Sequence, residues 1–292
     1  MKLLITGAQG QLGLALTRRL SRDHAVIALT REHLDIADAR ACMDALKRER
    51  PDVLLNCAAH TAVDKAESAD ERDQVFRVNT EGPRQLARAC NALGVTPIHF
   101  STDYVFDGTK RSPYVESDQT NPQSVYGESK LQGELAVSSE CADPMIIRLS
   151  WVYSNDGANF FRTMLRLAAD RPQLRVVADQ FGVPNYAADI ADAIYRLLDR
   201  RKAELTAHSG LYHLSAPGMA SWCDFARAIM AGAGLQDRVT VEAITTSDYP
   251  TAAVRPAYSV LNSSRFAATF GVTMPSWQDA LHRCLTHRAE ST

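Results

Sequence analysis

Concentrated positive charge is missing from this chain. Lys plus Arg number 32 against 34 for Asp plus Glu, with no basic run or stripe. A protein without such an electrostatic footprint is not expected to bind nucleic acid. Clustered cysteine is missing too. Cys42, Cys57, Cys90, Cys141, Cys223 and Cys284 are scattered, with no C-x-x-C and no Cys/His cluster. That pattern excludes a zinc site and a disulfide scaffold and leaves the thiols as small core residues. Long apolar runs are also lacking. Met1-Lys2-Leu3-Leu4-Ile5-Thr6-Gly7 reaches a glycine after three large apolar residues, too short for a signal-peptide core or a membrane span. The expectation is a cytoplasmic protein with no membrane partner, and no internal repeat or low-complexity tract points elsewhere.

What is present is a large apolar fraction, 46% of 292 residues, in a regular pattern. A chain of this length can bury about three quarters of its unfolded surface. Lys2 to Thr6 is a short apolar run ending in a glycine-rich turn, and Gln11 to Leu20 places Leu12, Leu16 and Leu20 on one helical face. The alternation continues: strand His24 to Leu29, helix Ala39 to Arg50, strand Val53 to Asn56, long helix Ala69 to Leu93, strand Thr96 to Ser101, helix Val125 to Ser139, strand Met145 to Leu149. Strands alternating with helices predict an α/β fold, a doubly wound parallel Rossmann sheet covered on both faces. Beyond Ser150 the periodicity is broken by Pro172, Pro184, Pro217, Pro250, Pro256 and Pro275. A smaller mixed α/β substrate domain is expected over 151–292, after a dinucleotide-binding domain over 1–150. Segments from about 188–214, helix Ala188 to Leu198 and strand Leu211 to Leu214, are candidates to return to the first sheet.

The turn after the first strand reads Gly7-Ala8-Gln9-Gly10-Gln11-Leu12-Gly13. Backbone without Cβ can approach a pyrophosphate there, and the free N–H groups of the following helix stabilise its charge. A tight turn that merely needs glycine is the plainer alternative. At the end of the second strand, where an acid would hold the ribose 2′-hydroxyl of NAD, Thr30 and Arg31 stand instead. A guanidinium can pair with a 2′-phosphate, which favours NADPH, with NADH left possible by Glu32 next door. Asp35 and Ile36 are expected beside the adenine. Tyr126-Gly127-Glu128-Ser129-Lys130 puts a phenol and an ammonium four residues apart on one helical face. The lysine charge is expected to lower the phenol pKa, so that proton transfer works near neutral pH. The strand ending Phe100-Ser101-Thr102-Asp103 lies just upstream, and strand carboxyl ends are where doubly wound sheets place ligands. Thr102 can then hydrogen-bond the substrate oxygen. His60, in Asn56-Cys57-Ala58-Ala59-His60-Thr61, is read as a hydrogen-bonded residue rather than the acid, because Tyr126 fills that role.

The glycine turn, the run Cys57-Ala58-Ala59-His60-Thr61-Ala62-Val63-Asp64-Lys65-Ala66-Glu67, the run Ser101-Thr102-Asp103-Tyr104-Val105-Phe106-Asp107-Gly108, Tyr126 to Lys130 and Ser150-Trp151-Val152-Tyr153 together closely resemble the dTDP-4-dehydrorhamnose reductase family of extended short-chain reductases. The resemblance continues through Asp179-Gln180-Phe181-Gly182-Val183-Pro184, Gly210-Leu211-Tyr212-His213 and Arg255-Pro256. It implies reduction of the C4 ketone of dTDP-4-dehydro-6-deoxy-L-mannose by NADPH, the last step of dTDP-rhamnose synthesis, with Tyr126 as proton donor and Lys130 also holding the nicotinamide ribose. It implies cofactor contacts at Gly10, Gln11, Leu12, Ala59, His60, Thr61, Tyr126 and Lys130. It implies sugar-nucleotide contacts at Thr102, Asp103 and Trp151, with Arg255 near the diphosphate.

The chain departs from the family at two places. Asn185 follows Pro184 where the family commonly has threonine. Some members hold magnesium between subunits through glutamates that align with Ala15 and Ala188; alanine cannot ligate a metal, so magnesium is not expected. The oligomeric state is left open. A 4,6-dehydratase wants an acid pair after the threonine, and Tyr104 stands in the second place. A related epimerase, or an NADP-binding regulatory subunit like that of methionine adenosyltransferase, are the other readings.

Overall fold

In the computed structural model, which describes residues 1–199 and 202–290, the apolar runs become strands, those inside the sheet buried on both faces. In chain order the first half contains β1 (Lys2–Thr6), α1 (Gln11–Leu20), β2 (Ala25–Leu29), α2 (Ala39–Glu49), β3 (Val53–Asn56), α3 (Ala69–Phe76), α4 (Gly82–Leu93), β4 (Thr96–Thr102), α5 (Val125–Glu140) and β5 (Met145–Leu149). Every residue of β3, β4 and β5 is buried, as a parallel sheet with helices on both faces requires. On α1, Leu16 and Leu20 are fully buried, each contributing about 1.5–3 kcal/mol relative to exposure.

The second half contributes α6 (Phe160–Asp170), β6 (Gln173–Val177), α7 (Ala187–Leu198), β7 (Gly210–His213), α8 (Trp222–Gly232), β8 (Thr240–Ile244) and α9 (Trp277–Glu290). Among the described residues the main sheet has six strands, all parallel, in the order β2-β1-β3-β4-β5-β7. The strand read from the sequence as Leu211 to Leu214 thus lies at the sheet edge against β5, and α7 packs on α1. β6 and β8 form a separate parallel pair. One continuous apolar cluster includes Leu3 and Leu16 from the first half and Phe225, Trp277 and Cys284 from the second.

The helix expected over Ala69 to Leu93 is interrupted. A π-helical turn, Arg77–Glu81, separates α3 from α4. Pro83 is the cause: it has no N–H to donate to the carbonyl of Asn79, four residues earlier. That carbonyl faces Gly133 of α5, where a Cβ would lie only 2.2 Å from it.

Charge is buried where α5 meets the sheet. Arg148 on β5 forms a two-pronged pair with Glu134 on α5, at 2.8 and 2.6 Å, with both residues buried. Its remaining nitrogen lies 3.5 Å from Nε2 of His213 on β7. Burial and Arg148 together pull the His213 pKa down to about 3, and Nδ1 lies 3.1 Å from the carbonyl oxygen of Tyr114. A neutral imidazole that donates from Nδ1 accepts at Nε2, so the guanidinium is matched on each side.

Candidate active site

Strand order reverses between β1 and β3, and the crevice outside their carboxyl ends is where such sheets take ligands. Gly7 occupies one wall with φ of +65°, and a Cβ there would lie 2.6 Å from the backbone nitrogen of Ala58 on the other. A Cβ on Gly13 would lie 2.3 Å from the carbonyl oxygen of Gly7. Gly10 caps α1 without any side-chain hydrogen bond, so the first N–H groups of the helix stay directed into the crevice. This cradle fits a pyrophosphate. Gln11 is tied to the second half of the chain, its Oε1 accepting from Asn159 at 2.8 Å and from Ser154 at 3.2 Å. Leu12 packs against the core.

At the end of β2, Thr30 Oγ1 lies 2.9 Å from His33 Nδ1, and Arg31 is exposed with no side-chain partner among the described residues. Asp35 is held by Arg77, and this contact with desolvation opposing it leaves its pKa below the usual carboxylate range. Ile36 is buried where a Cβ on Gly82 would collide with it, so its side chain is committed to the core. Arg31→Ala should narrow the kcat/KM preference for NADPH over NADH by roughly tenfold, the worth of one charged hydrogen bond. Equal use of both cofactors by the unaltered protein would sink that role.

Ala59, His60 and Thr61 line the crevice beyond β3. Asn79, set on the π-helical turn, accepts from the His60 N–H at 2.8 Å and donates to the His60 carbonyl at 3.1 Å and to Ser129 Oγ at 2.9 Å. The cofactor loop is thereby tied to α5. His60 Nε2 lies 3.5 Å from Glu71, and its Nδ1 is buried with no partner, a polar atom available to a ligand. Asn79 did not emerge from the sequence, although Gly82-Pro83 inside a helical run was the signal that could have found it.

Thr102, Tyr126 and Lys130 come together at the carboxyl end of β4. Tyr126 is half-buried, and desolvation pushes its pKa up to about 12, opposed by the nearby Thr102 hydroxyl. Lys130 does not tune the phenol as its spacing suggested. Its Nζ donates to the Phe100 carbonyl at 2.7 Å and lies 3.5 Å from His99 Nε2, and burial pulls its pKa down to about 8. Tyr104 meets the Tyr126 ring edge-on, with centroids 5.8 Å apart.

The residues expected to meet the sugar nucleotide come from distant segments. Asp103 is buried, accepts from Thr102 at 3.1 Å, and has a pKa raised to about 7 by desolvation, partly offset by the nearby Ser259 and Thr102 hydroxyls. Its Oδ2 has no partner. Arg255 grips Asp64 with two hydrogen bonds, at 3.1 and 2.6 Å, and the Ala253 N–H donates to the same carboxylate at 3.2 Å. Pro256 rests on Gly108, where a Cβ would approach to 2.7 Å, and Tyr114 pairs with Leu261. Residues 253–261 thus form a strap across the site. Trp151, two residues past β5, has an uncommon φ of 41° for a non-glycine residue. Its indole stacks on Trp222 at 3.5 Å and lies against Gly182, where a Cβ would come within 2.4 Å. One face of Trp151 is therefore covered by a residue the sequence did not single out. Asn185 is a buried joint: its amide donates to Ser150 O at 2.8 Å and Val183 O at 2.9 Å and accepts from Ala216 N at 2.7 Å. Among the described residues no cluster of three His, Cys, Asp or Glu side chains is arranged to hold a metal ion, and no helix is long and apolar enough to cross a membrane.

Comparison with known proteins gives a consistent result. A family model described as the RmlD substrate binding domain matches residues 1–290. A dTDP-4-dehydrorhamnose reductase of Sinorhizobium fredii is 43% identical over 97% of this chain and 96% of its own length. The crystal structure of a dTDP-4-dehydrorhamnose reductase from Clostridium acetobutylicum superposes with a TM-score of 0.92 at 37% identity, covering 99% of this chain and 100% of that one. One from Bacillus anthracis, solved in complex with NADP, has a TM-score of 0.92 at 35% identity over 98% of this chain and 99% of that one.

Proposed function

The chain belongs to the dTDP-4-dehydrorhamnose reductase family, whose model carries the description RmlD substrate binding domain, and from that membership we propose that its site reduces the C4 ketone of dTDP-4-dehydro-6-deoxy-L-mannose to the alcohol of dTDP-L-rhamnose. The observation that carries the reading is the placing of Thr102, at the carboxyl end of β4, near Tyr126 on α5, beside a glycine turn that leaves α1 without a side-chain cap.

NADPH, when bound, supplies the hydride. Gly7, Gly10 and Gly13 with the first N–H groups of α1 hold its pyrophosphate, Arg31 its 2′-phosphate, and Ala59, His60 and Thr61 the opposite wall. Tyr126 gives its phenolic proton to the C4 oxygen, and Thr102, its hydroxyl hydrogen turned from Asp103, hydrogen-bonds that oxygen as negative charge develops on it. Lys130 fixes the nicotinamide ribose. Asp103 and Trp151 bind the sugar, Arg255 the diphosphate. In this division of labour 1–150 with the returning 188–214 serves the cofactor, and most of 151–292 serves the sugar nucleotide. A cytoplasmic location belongs to the same proposal.

Incubation with NADPH and the keto-sugar, followed at the nicotinamide absorbance with the product identified by NMR, tests the reading. Cofactor binding without oxidation would favour a regulatory role, and inversion without net oxidation would favour an epimerase. Arg255→Ala should impair use of the dTDP-sugar, in kcat as well as KM, while NADPH affinity stays near the unaltered value, because remote binding energy orients the reacting carbonyl. Unchanged kinetics would remove Arg255 from the substrate site.

A further inference from the structure

Behind Lys130 lies a chain of buried polar groups that fixes which proton each carries. Asn56 Oδ1 accepts from the backbone N–H of Ala58 at 3.2 Å and from Thr6 Oγ1 at 2.8 Å. A backbone N–H can only donate, so the oxygen end of the Asn56 amide is identified and its nitrogen end faces His99 Nδ1, 3.0 Å away. That nitrogen donates, so His99 Nδ1 accepts. Burial together with Lys130 holds the His99 pKa well below its ordinary value, and the ring is neutral. A neutral ring that accepts at Nδ1 carries its hydrogen on Nε2. The Nε2–H then points at Lys130 Nζ, 3.5 Å away, while Nζ donates to the Phe100 carbonyl.

We propose that His99 is a positioning residue that opposes the ammonium form of Lys130, because its Nε2–H meets a donor when Lys130 is protonated and an acceptor only when Lys130 is the neutral amine. This inference rests on Lys130 belonging to a reductase site. The other groups facing Lys130 act differently. Glu134, one turn further along α5, favours the ammonium but is committed to Arg148. Cys57, at the end of β3, is pushed up by burial and is a neutral thiol near pH 7. Tyr126 lies one turn earlier on the same helix and is likewise protonated there. His99 therefore reinforces desolvation in bringing the lysine titration toward neutral pH, so its proton can be exchanged once Tyr126 has delivered its own.

Nitrogen-15 NMR of the histidine side chains tests the tautomer directly, with the His99 signal identified by its loss in His99→Gln. The expected result is a neutral ring protonated on Nε2 from about pH 6 to pH 9, which spans the ordinary histidine titration. A ring protonated on Nδ1, or a charged one, would overturn the proposal. Asn56→Asp reverses the sense of the chain: a carboxylate cannot donate, so His99 must carry its hydrogen on Nδ1 and accept from Lys130 at Nε2. Lys130 then holds its proton to higher pH, and the alkaline limb of kcat/KM should move up by about one pH unit. An unmoved limb in a variant that still binds NADPH would also overturn it. Should Asn56→Asp not fold, the NMR result on the unaltered protein still decides, and should the keto-sugar not be reduced at all, the reductase reading fails separately.

Discussion

Tyr126→Phe is expected to lower turnover by about a hundred- to ten-thousandfold while NADPH still binds, because the substitution removes one transferable proton and little surface. The loss should fall on kcat and kcat/KM alike, as it does when an interaction is made only in the transition state. Thr102 is left in place and can still polarise the carbonyl, which is why the loss stops short of abolition. Near-normal reduction of the keto-sugar by the folded variant would move the acid elsewhere, and Asp103, with its unpaired oxygen and a pKa raised to about 7 by burial, would be the next group to test.

Arg148→Met should destabilise the fold by about 3–5 kcal/mol, the cost of leaving one member of a buried ion pair uncompensated. The variant strands the Glu134 carboxylate between α5 and the sheet and takes the donor from His213 Nε2. Against a total stability of about 5–15 kcal/mol this is a large fraction, readable as a lower urea midpoint. The double variant Glu134→Leu with Arg148→Met removes both charges and should recover much of the loss. If the single variant matched the unaltered midpoint, or the double fell below the single, the pair would not be what seats α5.

The first half of the fold was legible because its inner strands are buried on both faces and its helices on one. Val53–Asn56 and Met145–Leu149 stand out as apolar runs, and Leu12, Leu16 and Leu20 mark a helical face. The second half hid α6, α8 and α9 among prolines, and the β6–β8 partnership joins segments far apart in the chain. The site divides the same way. The glycine turn and the Tyr126–Lys130 spacing are local, and both are visible in the sequence. What the lysine touches is not local: burial and the strand β4 turn it toward Phe100 and His99. The Asp64–Arg255 grip and the Trp151–Trp222 stack are likewise contacts between distant residues, for which no periodicity or spacing leaves a mark.

The strap over 253–261 imposes an order on synthesis. The glycine turn over residues 7–13 is made long before Arg255 and Ser259, and only when these have emerged can they reach Asp64 and the neighbourhood of Asp103. A nascent chain can therefore shape the crevice between β1 and β3 before the strap exists. The wall that the strap supplies is added last, once residues 253–261 have been made.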